Sequence, residues 1–238
     1  MINPDHFRVS HIILSTRNVY ESAFKLRSET GLGFYDGGFL DTTATKIFPL
    51  GEGAYVQMTG SVDPFAALDP ERAPAVKRAM ENLKNGDRFT NLMLEPDSFE
   101  DMVEVANTRG EKVTDNRPGG NVPVGGRLQV NGVRVHTASV TATKGPLPRG
   151  TPGLNYFFDK AGHPSGQPVE YYPGLVRPLG VAWVELGGTE PEISKAIGFS
   201  LAKVPIRFNG MKPGLYAFAV KSDKGEIVVK RNSSADAI

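Results

Sequence analysis

Two stretches of this chain, about 80 residues apart, pass through the same succession of local patterns, and no other feature narrows the fold as far. The first, Val9-Ser-His-Ile-Ile-Leu-Ser-Thr-Arg-Asn-Val-Tyr-Glu-Ser-Ala-Phe, alternates like a strand, breaks at Arg17-Asn18 and continues at helical spacing. The second, Arg88-Phe-Thr-Asn-Leu-Met-Leu-Glu, breaks at Pro96-Asp97 and passes into a helix over 98–109. Strands follow each helix. After the first helix they are expected at 34–40, 45–50 and 54–59, the last two joined by Gly51-Glu52-Gly53; after the second, at 112–115, 126–130, 133–143 and 153–158, with Asn131-Gly132 as a hairpin turn. The chain therefore reads as a duplicated βαβββ unit with little identity between the copies.

The helix limits carry their own signals. Asn18 and Gly31 bracket the first helix, residues 19–30, whose buried side is expected from Ala23, Phe24 and Leu26. Phe99, Met102, Val103, Val105 and Ala106 form one face of the second, which Gly110 ends. Between the copies, 70–83 is expected as a connecting helix with Ala75, Val76, Ala79, Met80 and Leu83 in one stripe. A third, shortened unit follows a loop at 159–178: a strand at 179–186, a helix at 190–198 and strands at 206–209, 215–220 and 226–230. The expected class is α+β. Tandem modules occupy 1–160 (about 7–60 and 88–160), and a partial third βα module at 161–238 packs on them.

Composition excludes several functions. A net charge of +1 leaves no electrostatic footprint for nucleic acid or an anionic membrane, so a small molecule or another protein is the expected partner. With no cysteine there is neither a disulfide nor a thiolate nucleophile. No apolar run is long enough to span a bilayer and no signal-peptide core opens the chain, so a cytoplasmic location is the default. The glycine-rich run at 119–126 lacks the lysine and the strand-to-helix step of a phosphate loop.

Alternation along strands selects the candidate cavity wall. His11, Ile13 and Ser15 share one side, opposite Ile12 and Leu14. Tyr55 falls with Gln57, and Asn91 with Met93 and Glu95. In Val133-Arg-Val-His-Thr-Ala-Ser, Arg134 and His136 face away from the valines, where Arg134 would hold an anionic oxygen and His136 would move a proton. Each has an ordinary reading beside this one. Arg134 and His136 fit an exposed hairpin face, Tyr55 fits strand packing, and Glu95, before Pro96 at a strand end, fits a solvated position. His163 in Gly-His-Pro-Ser-Gly reads as a structural turn, with a loop over the cavity mouth as the alternative, and Trp183 reads as core.

The opening His-Ile-Ile-Leu-Ser-Thr-Arg-Asn-Val and the later Gly-Glu-Gly-Ala-Tyr-Val-Gln-Met resemble the first and fourth strands of a vicinal oxygen chelate module, and more narrowly its glyoxalase-like branch. The resemblance spans about residues 7–160. It implies paired βαβββ modules curved around a shared cavity, with a dimer as one known arrangement, and in metal-dependent members a divalent ion held by the first and fourth strands. Carried over, the ligand positions fall on His11 and Gln57 in the first module. In the second they fall on Asn91 (or Thr90) and on Asn155 or Phe157. One imidazole and amides make a poor set for a divalent metal, which leaves the cofactor open.

Three functions stand on this reading. One is an acid–base enzyme of lyase or isomerase type acting on a small oxygenated, perhaps aromatic, compound. There His11 and His136 are catalytic, Arg134, Gln57, Tyr55, Asn91 and Asn155 bind substrate, and His11 and Gln57 are the sites left for a metal. The second is a sequestering protein using the same cavity without chemistry. The third is a metal-dependent ring-cleaving dioxygenase.

Overall fold

The computed structural model describes residues 4–40, 43–61, 73–118, 129–130, 133–141, 150–169 and 172–236. In the first module β1 (Phe7–Thr16) leads into α1 (Val19–Thr30), β2 (Tyr35–Leu40), β3 (Thr43–Gly51) and β4 (Ala54–Ser61). A connecting helix, α2 (Ala73–Asn82), precedes the second module. That module comprises β5 (Arg88–Pro96), α3 (Phe99–Arg109), β6 (Lys112–Asp115), a small β7 (Gln129–Val130) and β8 (Val133–Arg134) pair, β9 (Thr137–Thr141) and β10 (Gly153–Phe157).

The caps act as their residue types dictate. Asn18 Oδ1 accepts from the amides of Tyr20 and Glu21, and Gly31 ends α1 at φ 72°. Ser98 and Gly110 do the same for α3. The β3–β4 hairpin turns through three successive positive-φ residues, Gly51, Glu52 and Gly53, which two glycines make cheap.

Eight strands make one sheet in the order β2-β3-β4-β1-β5-β10-β9-β6. In each module the first strand takes the last as a parallel neighbour, β1 with β4 and β5 with β10. The two modules meet where β1 runs antiparallel to β5. The order of one half is thus the mirror of the other, as a duplicated βαβββ unit requires. β7, on the excursion between β6 and β9, lies against the β2 edge of the curved sheet.

One face of this sheet is the core. Ile12, Leu14, Phe48, Val56, Met58, Leu92, Leu94 and Leu154 are buried under Val19, Ala23 and Leu26 of α1 and Met102 and Val105 of α3. The third unit adds β11 (Pro178–Leu186), α4 (Glu190–Ile197), β12 (Ile206–Phe208), β13 (Leu215–Ser222) and β14 (Gly225–Lys230), paired as β12-β11-β13-β14. Most of its buried apolar residues join the same cluster, with Phe7 stacked on Phe199 at 4.0 Å and Phe89 edge-on to Phe218 at 5.9 Å, while Trp183, Ala217 and Ala219 form a separate one. Trp183 is buried and donates its indole N–H to Glu226. No helix among the described residues is long and apolar enough to cross a membrane.

Three expectations are corrected. Phe24 is 52% exposed and packs edge-on against Phe34 with Arg27 over its ring, while Ser22 takes the inward position beside Ala23 and Leu26. In the connecting helix Ala79 and Met80 face solvent, and Leu83 enters the core just past its last turn. The side chains of Ala75 and Val76 lie outside the described residues, as does the turn Asn131-Gly132. The strand expected over 133–143 is interrupted at Val135-His136, where Asn116 takes over the backbone bonding: its Nδ2 donates to Val135 O, and its Oδ1 accepts the amide of Thr137.

The burial contrast gives a stability test. Phe48→Ala, from a side chain with no exposure, should cost about 3–5 kcal/mol in chemical denaturation. Phe24→Ala should cost under about 1 kcal/mol.

Candidate functional site

The face opposite the core is concave and mixes polar with apolar side chains. Its rows follow from register. Tyr55, His11 and Met93 lie side by side on β4, β1 and β5, with Gly153 of β10 next to Met93; the row beyond holds Ile47, Gln57, Ile13 and Asn91. A Cβ at Gly153 would sit 2.6 Å from Met93 Sδ, so this corner of the face is closed by sulfur packed onto backbone. Gln57 and Asn91 are half-buried. Asn91 Oδ1 accepts from the Leu92 amide, and Gln57 has no protein partner among the described residues. Asn155 is buried on β10, paired with Ser139 of β9.

The β1–β5 pairing shifts register at two places. Ser10 is the extra residue on β1 and Thr90 the extra residue on β5. The shift at Ser10 reverses the alternation, so Phe7 and Val9 join the core together with Ile12 and Leu14, while Arg8 and His11 turn to the other face. Ser10 is fully buried, and its hydroxyl lies 3.1 Å from His11 Nδ1. The imidazole stacks on Tyr55 with ring centroids 4.6 Å apart.

Past His11 the concave face is closed by the chain that follows β10. Glu95 has no exposed surface. Its Oε1 accepts from Lys160 Nζ at 2.6 Å and from the Phe157 amide at 3.3 Å. Its Oε2 lies 3.0 Å from Arg8 Nη2 and 3.5 Å from His163 Nε2, without a directional hydrogen bond to either. His163 is buried against Phe157 and Tyr55, at ring centroid distances of 4.2 and 5.9 Å. Its Nδ1 accepts from the Ser165 amide, so Nε2, facing Glu95, is a ring nitrogen that carries a proton. Tyr35 donates to Pro164 O at 2.8 Å, and Val135 joins Tyr35, Ile47, Tyr55 and Phe157 in a separate apolar cluster.

The electrostatics follow from this burial. Loss of solvent, reinforced by the nearby His163 and opposed by Glu95, brings the His11 pKa down to about 3, so its ring is neutral at any physiological pH. Burial alone would raise the Glu95 pKa. The His163 and Lys160 side chains and the Arg8 charge outweigh it and hold the carboxyl at about 2. Burial also raises the Tyr55 and Tyr35 phenols above their usual range, so both are protonated.

The structure brings His11, Tyr55, Gln57 and Asn91 onto one face, with Asn155 two strands away from His11. His136 is half-buried in the connection between β8 and β9, near Asp115. The side chain of Arg134 lies outside the described residues. Glu95, expected in solvent, is the most buried charge of the site, because residues 157–163 fold back over the strand end. His163, read as a structural turn with a loop over the cavity mouth as the alternative, caps a short 3-10 turn. Its contact with Glu95, 68 residues earlier in the chain, has no local sequence signal.

A divalent metal is poorly served by this set. Among the described residues no three histidine or carboxylate groups converge. The one buried carboxylate is occupied by two cations and a backbone amide, which leaves one imidazole and amides.

Comparison with known proteins agrees with the duplicated modules. Residues 9–192 match the family model described as a glyoxalase-like domain. The chain belongs to the glyoxalase-like domain family. No curated protein sequence matches it. Among solved structures, the glyoxalase-like chain is similar to a hypothetical protein from Staphylococcus aureus, with a TM-score of 0.53 at 10% identity, covering 86% of this chain and 87% of that one. Methylmalonyl-CoA epimerase from Mycobacterium tuberculosis aligns at TM-score 0.40 and 10% identity, over 63% of this chain and 85% of that one. The first of these likenesses speaks for the fold.

The Glu95 carboxylate gives this glyoxalase-like site a pH signature. Its folded pKa lies below the unfolded value of 4.5, so its contribution to stability is full above pH 4.5 and is lost as the pH falls towards about 2. Glu95→Gln should therefore be less stable than wild type by on the order of 2 kcal/mol at pH 7. That gap should narrow below pH 4.5 in chemical denaturation; a gap constant with pH would mean that the charge is not what holds the site closed.

Proposed function

We propose that the concave face is the active site of an acid–base enzyme, of isomerase or lyase type, acting on a small oxygenated metabolite. The observation that carries this reading is His11, a buried, neutral imidazole beside half-buried amides. A neutral imidazole accepts a proton without first losing one. With a substrate carbonyl against the amides of Gln57 and Asn91, His11 would take a proton from the adjacent carbon. That C–H electron pair then moves onto the carbonyl oxygen, and the amide N–H groups stabilise the resulting enolate. The anion forming near the ring raises the basicity that burial has lowered. Return of the proton at another carbon or face is isomerisation, and expulsion of a leaving group is elimination. Asn155 serves as a further polar contact on the same face. His11, Gln57, Ile13, Asn91 and Met93 carry no fixed charge, which favours an uncharged carbonyl compound over a strongly anionic one.

The sequestering reading has one observation of its own. At a pKa of about 3 the His11 ring of the empty site is a weak base. Solvent-deuterium exchange separates the two readings. The protein is incubated in D2O with a panel of small 2-hydroxy and 2-oxo carbonyl compounds, and deuterium at the carbon beside the carbonyl is read by mass spectrometry. The enzyme reading expects accelerated exchange in at least one compound, falling about 100-fold or more in His11→Ala with the fold intact. Binding without exchange in the wild type would leave a binding protein.

A further inference from the structure

A cavity of about 490 Å³ opens where the end of β1, the start of α1, the turn before β5 and the end of β14 meet. Four cations line it: Arg17, Lys25, Lys230 and Arg231. Arg17, Lys25 and Lys230 have no acidic partner among the described residues. Arg231 is held in place by Glu29 at 2.5 Å and by a bond from its Nη1 to Lys230 O.

The floor beneath them is built. Thr16 and Ser22, both buried, share a 2.5 Å hydrogen bond, and Ser22 donates to Asp87 Oδ1 at 2.9 Å. Asn232 Nδ2 donates to the carbonyls of Asn85 and Asp87, which ties the third unit to the turn before β5. Two acids also line the cavity. They are Glu21 and Asp87, the latter accepting the Ser22 hydroxyl, so the four lining cations still outnumber the lining carboxylates by two. The first amides of α1 are already taken by Asn18 Oδ1 and are not the attraction.

We infer that this cavity is a binding site for a small polyanion of phosphate or polycarboxylate type, separate from the concave face. A surface that gathers cations from two distant stretches of chain, 17–25 and 230–231, around one open cavity carries a repulsion that an anion relieves. Guanidinium and ammonium groups offer forked and point donors to oxyanions. The volume admits a molecule the size of a phosphorylated metabolite and is too small for a nucleic-acid duplex.

Calorimetric titration of the whole protein with sodium tripolyphosphate, and separately with citrate, tests this. One equivalent of at least one of the two should bind at low ionic strength, more weakly at higher salt. The variant Arg17→Ala/Lys25→Ala/Lys230→Ala should lose about tenfold or more in affinity. Removing three exposed lysines elsewhere (Lys195→Ala/Lys203→Ala/Lys221→Ala) should change affinity less than about twofold, and so should His11→Ala. The arm that binds tighter distinguishes phosphate from carboxylate chemistry. Failure of both probes to bind, or equal loss in the two triple variants, would overturn the site; loss in His11→Ala would move the anion to the concave face.

Discussion

The antiparallel seam between β1 and β5 is the interaction on which the rest of the molecule depends. It joins two copies of one unit into a single eight-stranded sheet, and its register decides which side chains meet on either face. A uniform ladder would have sent Arg8 and His11 to opposite faces. The extra residue at Ser10 brings both to the concave side while Phe7, Val9, Ile12 and Leu14 stay in the core. Ser10 itself ends up beside the His11 ring. A single local irregularity thus supplies the histidine, its hydrogen-bonding neighbour and a cation for Glu95.

Glu95 shows what closing one end of the concave face requires. A lone carboxylate without solvent is costly, and here it is compensated by Lys160, Arg8 and a backbone amide. These partners come from β1 and from the chain after β10, so the compensation draws that chain over the strand end. His163 and Pro164 then lie against Tyr55 and Tyr35 and keep water from His11. The neutrality of His11 and the anionic state of Glu95 are two results of one enclosure. It deprives the imidazole of solvent while surrounding the carboxylate with donors.

Much of the architecture was legible because it rests on short-range chemistry. Asn18, Gly31, Ser98 and Gly110 bound their helices, and the Gly51-Glu52-Gly53 turn joins β3 to β4. The repeated strand–helix–strand pattern yields the mirrored strand order, since each copy must bury the same faces. Parity also placed His11, Tyr55, Gln57 and Asn91 on one side. What was hidden depends on contacts distant in sequence. Burial of Glu95 follows from residues more than 60 positions later folding back, the break at Val135-His136 follows from Asn116, and the shift at Ser10 leaves no mark in the alternation of Val9 to Leu14. Phe24 was misjudged because an aromatic at a helical position is ordinarily inward, whereas here Phe34 and Arg27 give it a partner at the surface.

The central claim is that enclosure holds His11 neutral on the concave side of the sheet. Imidazole titration by NMR, with the four histidines assigned by single substitution, tests it most directly. The account predicts that the His11 resonances do not move between pH 8 and about 5 and begin to titrate only towards a pKa of about 3. A His11 midpoint near the ordinary value of 6.5 would contradict it, since a ring that protonates so readily is in contact with solvent and not enclosed beneath Tyr55 and His163.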